Sequence, residues 1–236
     1  MTNSNTNKIL ITGSKSGFGK QLSEWIDNAH CLKEEKDLNS KKNIDFDIVI
    51  HCAATSSRKF SDIFKLIKNN IFLTYKLLKL NSKTFVFFSS VDVNNKEFNL
   101  FSISKFICEI LIKIFHKNYL IYRPSIMLGK YMRKNHVSKI LSSENIQLSL
   151  AEDSTFRYVS HKKMYEQIMK DISECNKGVF NLTSSNPKEL KYYVNKFSKS
   201  NVSYGNYKYD TILSSKYPTV YLGDSESNFV FYINEK

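Results

Sequence analysis

The sequence is short of the residues that punctuate or cross-link a chain: 4 cysteines, 3 prolines, 7 glycines and 1 tryptophan in 236 residues. Cys31, Cys52, Cys108 and Cys175 lie far apart with no Cys-x-x-Cys pair, which argues against a zinc site and a disulfide scaffold. So little glycine and proline excludes collagen-like and low-complexity chains. No apolar run approaches the roughly 18 residues of a membrane span. The opening MTNSNTNKILITG lacks the basic and apolar regions of a leader. The expectation is a soluble, cytoplasmic chain with no metal and no membrane partner. Arginine is scarce as well, only 4 of 35 basic residues. That removes the usual reader of base edges, and no nucleic-acid motif occurs.

What the chain does have is apolar content of 42% and a formal charge of +13. The first figure is enough to bury a sizeable core. The charge is spread evenly, with 18 basic and 11 acidic residues in 1–118 against 17 and 11 in 119–236. An even spread fits a lysine-rich solvated surface, or a field that draws in a small polyanion. Nucleic acid is not an expected partner.

Short apolar runs alternate with segments of helical period. Lys8–Thr12, Asp47–Cys52, Thr84–Ser89, Tyr119–Arg123 and Val179–Leu182 read as strands, with two very short ones near His30–Leu32 and Lys36–Leu38. Gly17–Asn28, Phe60–Leu80 and residues 102–117 carry helical periodicity. Strands apolar on both faces and alternating with helices predict a parallel sheet covered on both sides. From about residue 130 the periodicity breaks up, which suggests a small second lobe.

Between the first strand and first helix runs Ile9-Leu-Ile-Thr-Gly13-Ser14-Lys15-Ser16-Gly17-Phe18-Gly19. Gly13 permits a tight turn, Gly17 a close approach of backbone N–H groups to a pyrophosphate, and Gly19 close packing of helix on sheet. An NAD reader places an acid about 20 residues on. Here Leu32-Lys33-Glu34-Glu35 offers both signs. Lys33, with Lys15 in the loop, suits a ribose 2′-phosphate, so NADP(H) is favoured over NAD(H).

Thr-Gly-x-x-x-Gly-x-Gly after a first strand resembles the short-chain dehydrogenase/reductase superfamily. Further stations follow in order: His51-Cys52-Ala53-Ala54, Asn70-Ile71 with Thr74, Phe88-Ser89-Ser90-Val91-Asp92, and Tyr122-Arg123-Pro124 leading to Gly129. Arg157-Tyr158-Val159-Ser160-His161 and Phe180-Asn181-Leu182 resemble the extended epimerase/dehydratase branch. The resemblance spans roughly residues 8–185. It implies an α/β fold, a doubly wound parallel sheet (Rossmann) with a small C-terminal substrate lobe. Residues 1–236 then form one NAD(P)-binding domain, with about 130–165 and 184–236 contributing the lobe. It implies cofactor contacts at residues 13–19, at Lys33, Asp37 and Leu38, at Cys52, Ala53 and Ala54, and at Asn70, Lys105 and Pro124. Ser90 would orient a substrate oxygen, with Arg133 and Arg157 toward the substrate and Lys134 a further candidate. The implied substrate is a nucleotide-linked sugar or related keto compound, and a homodimer is expected by analogy.

One departure bears on the chemistry. The family's Tyr-x-x-x-Lys stands here as Phe101-Ser-Ile-Ser-Lys105, and no tyrosine lies between Tyr75 and Tyr119. Phenylalanine has no transferable proton, and losing general acid–base catalysis costs about 10²–10⁴ in rate. The chain is then an enzyme whose proton comes from elsewhere, with Asp92 first in line and His51, His136 and His161 also open. Alternatively it is an NADP(H)-binding sensor or partner subunit without turnover, or a protein whose basic lobe binds something unrelated. Thirteen of the 14 tyrosines lie after residue 118, most of them in the lobe that would hold the sugar nucleotide, or there simply to build that lobe's core.

Overall fold

The computed structural model describes residues 7–57, 59–95, 99–142 and 145–235. Residues 1–6, in which no leader is read, lie outside them. The chain runs β1 (Ile9–Thr12), α1 (Gly17–Trp25), β2 (His30–Leu32), β3 (Phe46–His51), α2 (Ile63–Leu66), α3 (Leu73–Leu77) and β4 (Ser82–Phe88). It continues through α4 (Leu100–Phe115), β5 (Tyr119–Pro124), β6 (Ile126–Leu128), α5 (His136–Ile140), β7 (Ile146–Gln147), β8 (Thr155–Phe156) and β9 (Tyr158–Ser160). α6 (His161–Ser173), β10 (Gly178–Ser185), β11 (Lys188–Glu189), α7 (Leu190–Phe197), β12 (Val202–Ser203), β13 (Thr219–Asp224) and α8 (Ser225–Glu235) complete it.

Seven strands form one parallel sheet in the order β13-β10-β5-β4-β3-β1-β2. Alternation along each strand sends side chains to opposite faces. Ile9, Ile11, Val86, Phe88 and Tyr122 pack with α1 and α6 through Phe18, Leu22, Met164 and Ile168. Leu10, Val49, Phe85, Phe87 and Ile121 pack with Leu77 of α3 and Cys108 and Ile112 of α4. Both faces are dry, which is why the strands read as continuous apolar runs. The sheet is doubly wound: the chain steps from β1 out to β2, then crosses back to β3 on the other side. The strand order therefore switches between β1 and β3, where such sheets open a crevice at their carboxyl ends.

A strand at Lys36–Leu38 is not formed. Glu35–Lys41 is a 3₁₀ helix, closed by a capping box between Glu34 and Asp37, and Leu38 anchors it in the core. The sheet ends at β2. Nor is Phe60–Leu80 one helix. It passes from a 3₁₀ turn (Phe60–Asp62) through α2 into a π-helical segment (Ile67–Phe72) before α3. The wide turn carries Asn70, whose side chain is 2% exposed and reaches sideways to two neighbouring elements.

The second lobe has its own core of Val137, Ile140, Phe156, Tyr158, Leu190, Tyr193 and Phe229. Two-stranded pairs β6–β9, β7–β12 and β8–β11 frame it. Parts of the residue ranges expected for the lobe belong to the main body instead: β13 extends the large sheet, and α6 packs on its face.

Candidate functional site

β1 ends at Thr12 and the chain turns at Gly13 with φ +76°. A Cβ on Gly13 would lie 2.8 Å from the Ala53 backbone nitrogen, and one on Gly19 would lie 2.6 Å from the Gly13 carbonyl oxygen. These two glycines let the loop lie against the end of β3 and against itself. Gly17, with φ +61°, has nothing within 4 Å of a Cβ. It borders open space, as a loop apposed to a ligand requires. Ser16 begins α1 without a side-chain cap, and the helix's first turn holds no acidic residue. Its positive end is left to other acceptors. The Gly17 N–H donates to the Tyr131 carbonyl at 2.9 Å, which lays residues 130–133 across the loop.

The opposite wall is the segment after β3, positioned by a buried polar chain. The Ala53 N–H donates to Thr12 Oγ1 (3.0 Å), Thr12 Oγ1 meets His51 Nδ1 (2.7 Å), and His51 Nε2 meets Thr74 Oγ1 (2.9 Å). The Thr74 hydroxyl donates to the Asn70 carbonyl at 2.7 Å. One proton arrangement satisfies every member: neutral His51 protonated at Nε2, with the Thr12 hydroxyl donating to Nδ1. Burial pushes the His51 pKa down to about 3, so this histidine is a structural link and not a proton source. Asn70 accepts from the Thr55 N–H (2.8 Å) and donates to the Thr55 carbonyl (3.0 Å) and Ser104 Oγ (2.8 Å). It ties the β3 loop to α4 and does not itself line the cleft.

Phe101 and Lys105 face the same cleft from α4, one helical turn apart, below an Asn99–Ser102 capping box. Lys105 is 4% exposed and donates to the Phe88 carbonyl at 2.6 Å, with Phe87 and Phe101 rings 4.5 and 5.9 Å from its nitrogen. Burial lowers its pKa to about 8. Burial also raises the Cys52 thiol to about 12, leaving it inert. The cleft, about 680 Å³, extends from the glycine loop past Ala53 and Ala54 to Ser89, Phe101 and Lys105. Ser89 Oγ is buried there with no partner among the described residues.

A second hollow of about 260 Å³ adjoins it across Ile126, which lines both. Ser90, Asp92, Pro124, Ser125, His136 and Tyr209 face this hollow. Ser90 Oγ accepts the Asp92 N–H at 3.1 Å. The Tyr209 hydroxyl donates to Asp92 Oδ1 at 3.2 Å.

Most residues expected at a cofactor site converge on the first cleft: Gly13, Lys15, Ser16, Gly17, Phe18, Gly19, Lys33, Cys52, Ala53, Ala54 and Lys105. Pro124 faces the second hollow. Ser14 and Asp37 line neither space, and Leu38 lies in the core. Arg133 crosses the cleft mouth to the Ser56 hydroxyl and the Ala54 carbonyl. Arg157 is committed elsewhere, to the Ser184 carbonyl at 2.6 Å. Lys15 and Lys36 each stand 2.9 Å from Glu34 and hold its carboxyl down to about 2. His136 bonds the Tyr158 hydroxyl at 2.8 Å, and the His161 ring occupies the space that a Cβ on Gly129 would need. Burial lowers both to about 4, so near neutral pH both rings are neutral imidazoles. The sequence places Tyr209 in an aromatic and basic stretch (Tyr204, Tyr207, Tyr209) of the lobe expected to hold the substrate, but pairs it with no catalytic residue. It lies 117 residues from Asp92, and no local pattern joins them.

The residues fit a dinucleotide. Two glycines are packed and one is open, the α1 terminus has no side-chain cap, and an orphaned Ser89 hydroxyl waits in the cleft. Fold and cleft together define a doubly wound Rossmann-like α/β protein with its crevice at the strand switch. No protein-family model and no curated protein matches the sequence. Among solved structures, the chain is similar to a dTDP-4-dehydrorhamnose reductase from Bacillus anthracis in complex with NADP, at 17% identity, TM-score 0.82 and full coverage of both chains. It is also similar to a UDP-N-acetylglucosamine 4-epimerase from Methanobrevibacter ruminantium in complex with UDP-N-acetylmuramic acid. That match has 18% identity and TM-score 0.74, over 89% of this chain and 90% of the other. At such identities the likeness establishes the shared fold. No described helix is long and apolar enough to cross a membrane.

Proposed function

We propose that the protein is a nicotinamide-dinucleotide-binding member of the short-chain dehydrogenase/reductase superfamily, of the epimerase/dehydratase type, acting on a nucleotide-linked sugar or related keto compound. The cleft itself carries this reading: a glycine loop open at Gly17, faced by Ala53 and Ala54, with Lys105 and Ser89 at its inner end. When bound there, the dinucleotide would supply hydride chemistry. Lys105 would hold its ribose, Ser90 would meet the substrate oxygen in the second hollow, and Arg133 would close the mouth. Some solved neighbours hold NADP or NADPH and others hold NAD. Lys15 and Lys33 beside the cleft favour the 2′-phosphate of NADP(H). Calorimetric titration is expected to show NADPH binding with higher affinity than NADH, and heat from neither would overturn the reading. dTDP-4-dehydrorhamnose and UDP-N-acetylglucosamine are the first substrates to offer. The four cysteines are free, in keeping with a cytoplasmic site of action.

Phe101 favours a second reading, a sensor or partner subunit that binds NADP(H) without turnover. A protein that binds NADPH and a keto sugar nucleotide, yet never oxidises the cofactor, would be this one.

The exposed faces of α4 and of the α2 region support a homodimer. Ile103, Phe106, Ile110 and Ile114 form a stripe on α4 at 39, 41, 41 and 68% exposure, and Phe60 and Phe64 lie exposed on the adjacent α2 region. An apolar face of this kind exceeds the scatter expected on a monomer. We infer that a second copy covers it. Light scattering is expected to give a dimer for the native protein and a monomer for Ile110→Asp/Ile114→Asp; a monomeric native protein would remove the proposal.

A further inference from the structure

The fold places no hydroxyl at position 101, yet it brings a phenol to the substrate side of the site from an unexpected direction. Tyr209 arrives from the C-terminal lobe. Its backbone is pinned on both sides, its N–H donating to Ser154 Oγ at 3.1 Å and its carbonyl accepting the Thr155 N–H at 2.9 Å. Its ring stacks on Phe156 with centroids 5.3 Å apart and planes 14° apart, and Phe156 in turn stacks on His136 at 4.4 Å. The hydroxyl reaches Asp92 Oδ1 at 3.2 Å, and the Asp92 N–H is bonded to Ser90 Oγ at 3.1 Å. Phenol, carboxyl and serine hydroxyl therefore share one hollow, which opens beside the inner end of the dinucleotide cleft. A group held on both backbone sides and by stacking is positioned in advance for chemistry.

The alternatives are weaker on their own geometry. His51 lies inside the polar chain behind the β3 loop, and His161 is wedged against Gly129. His136 borders the hollow, but its Nε2 is engaged by the Tyr158 hydroxyl. Asp92 Oδ1 is the acceptor of the Tyr209 hydroxyl, so its place in the hollow is that of the group that orients the phenol.

We propose that Tyr209, oriented by Asp92, is the proton donor to the substrate oxygen in the place of the hydroxyl that Phe101 lacks. This rests on the reading of the chain as a dinucleotide-dependent reductase or epimerase. In the reductive direction a hydride from the dihydronicotinamide joins the substrate's carbonyl carbon, and the C=O π pair moves onto oxygen. The Tyr209 hydroxyl turns from Asp92 Oδ1 to that oxygen and gives up its proton, leaving an alcohol, an oxidised nicotinamide and a Tyr209 phenolate. Water then reprotonates the phenolate, and the hydroxyl returns to Asp92 Oδ1. Ser90 donates a hydrogen bond to the same oxygen without giving up its proton.

Two measurements test it. In protein labelled with [ζ-¹³C]tyrosine, the Tyr209 resonance is identified by its loss in Tyr209→Phe. Adding dTDP-4-dehydrorhamnose without cofactor is expected to shift that line while leaving exposed Tyr221 in place. Ligand that binds, by calorimetry, without moving Tyr209 would overturn the proposal. In turnover with NADPH, Tyr209→Phe keeps the stacked ring and is expected to lower kcat at least about 100-fold, with NADPH affinity unchanged. Turnover equal to the native rate would remove Tyr209's role and leave the enzyme reading standing. A native protein that binds both ligands but oxidises no NADPH would remove the enzyme reading, and this role with it.

Discussion

Gly17→Val is expected to weaken NADPH binding at least about 100-fold, equivalent to about 2.7 kcal/mol, while the protein stays folded. Two independent effects act at this position. The backbone sits at φ +61°, where an L side chain costs about 1–2 kcal/mol and a β-branched one is a marked outlier. The valine methyl groups would also project into the space that Gly17 leaves open, so the backbone could no longer approach a pyrophosphate. Strain alone is affordable to a sheet buried on both faces. The binding surface has no such reserve. Calorimetric titration together with circular dichroism reads the two effects separately. NADPH bound by Gly17→Val at native affinity would show that the loop is not the phosphate cradle. Gly19→Ala is a useful contrast. Its Cβ would meet the Gly13 carbonyl oxygen at 2.6 Å, a backbone atom that cannot step aside, so the damage there falls on the loop's own packing.

The largest stability change is expected from Glu109→Ala, a loss of about 3–5 kcal/mol in urea unfolding. Glu109 is fully buried on α4 and receives two hydrogen bonds from Arg123 of β5, at 2.9 and 2.7 Å. The third guanidinium nitrogen donates to Asn94 Oδ1 at 2.6 Å, and Tyr217 covers the group's face at 4.7 Å. Removing the carboxylate leaves a guanidinium charge in an interior it cannot leave. Replacing both members by apolar residues, as in Glu109→Leu/Arg123→Met, is expected to cost less than the single change, because no lone charge remains. A single variant as stable as the native protein would show that water reaches Arg123. The pair also has a positioning role. It ties α4, which carries Lys105, to β5 and to the Val91–Asn94 turn that follows Ser90.

Much of the main sheet was legible because its signals are local. β1, β2, β3, β4, β5 and β10 stand where short apolar runs predict strands, and the glycine spacing placed a tight turn between β1 and α1. Two local readings failed for tertiary reasons. Lys36–Leu38 has strand-like length, but the Glu34–Asp37 cap and the burial of Leu38 favour a 3₁₀ turn. The helical period of residues 60–80 is real, yet the need to bring Asn70 against Thr55 and Ser104 opens it into a π turn.

The absence of a tyrosine at position 101 was plain from the sequence, and so was the crowding of tyrosines after residue 118. The sequence by itself determined that the helix after β4 would present phenylalanine and lysine one turn apart, and that glycines would open the loop before α1. Only the tertiary structure decided which tyrosine meets Asp92, that Arg157 turns away to Ser184, and that Arg123 and Glu109 find each other across α4 and β5. The physical reason is range. Turns, caps and periodicity are set by neighbours within a few residues, whereas a site is made by side chains from distant elements, whose approach is settled by how the sheet and the second lobe pack.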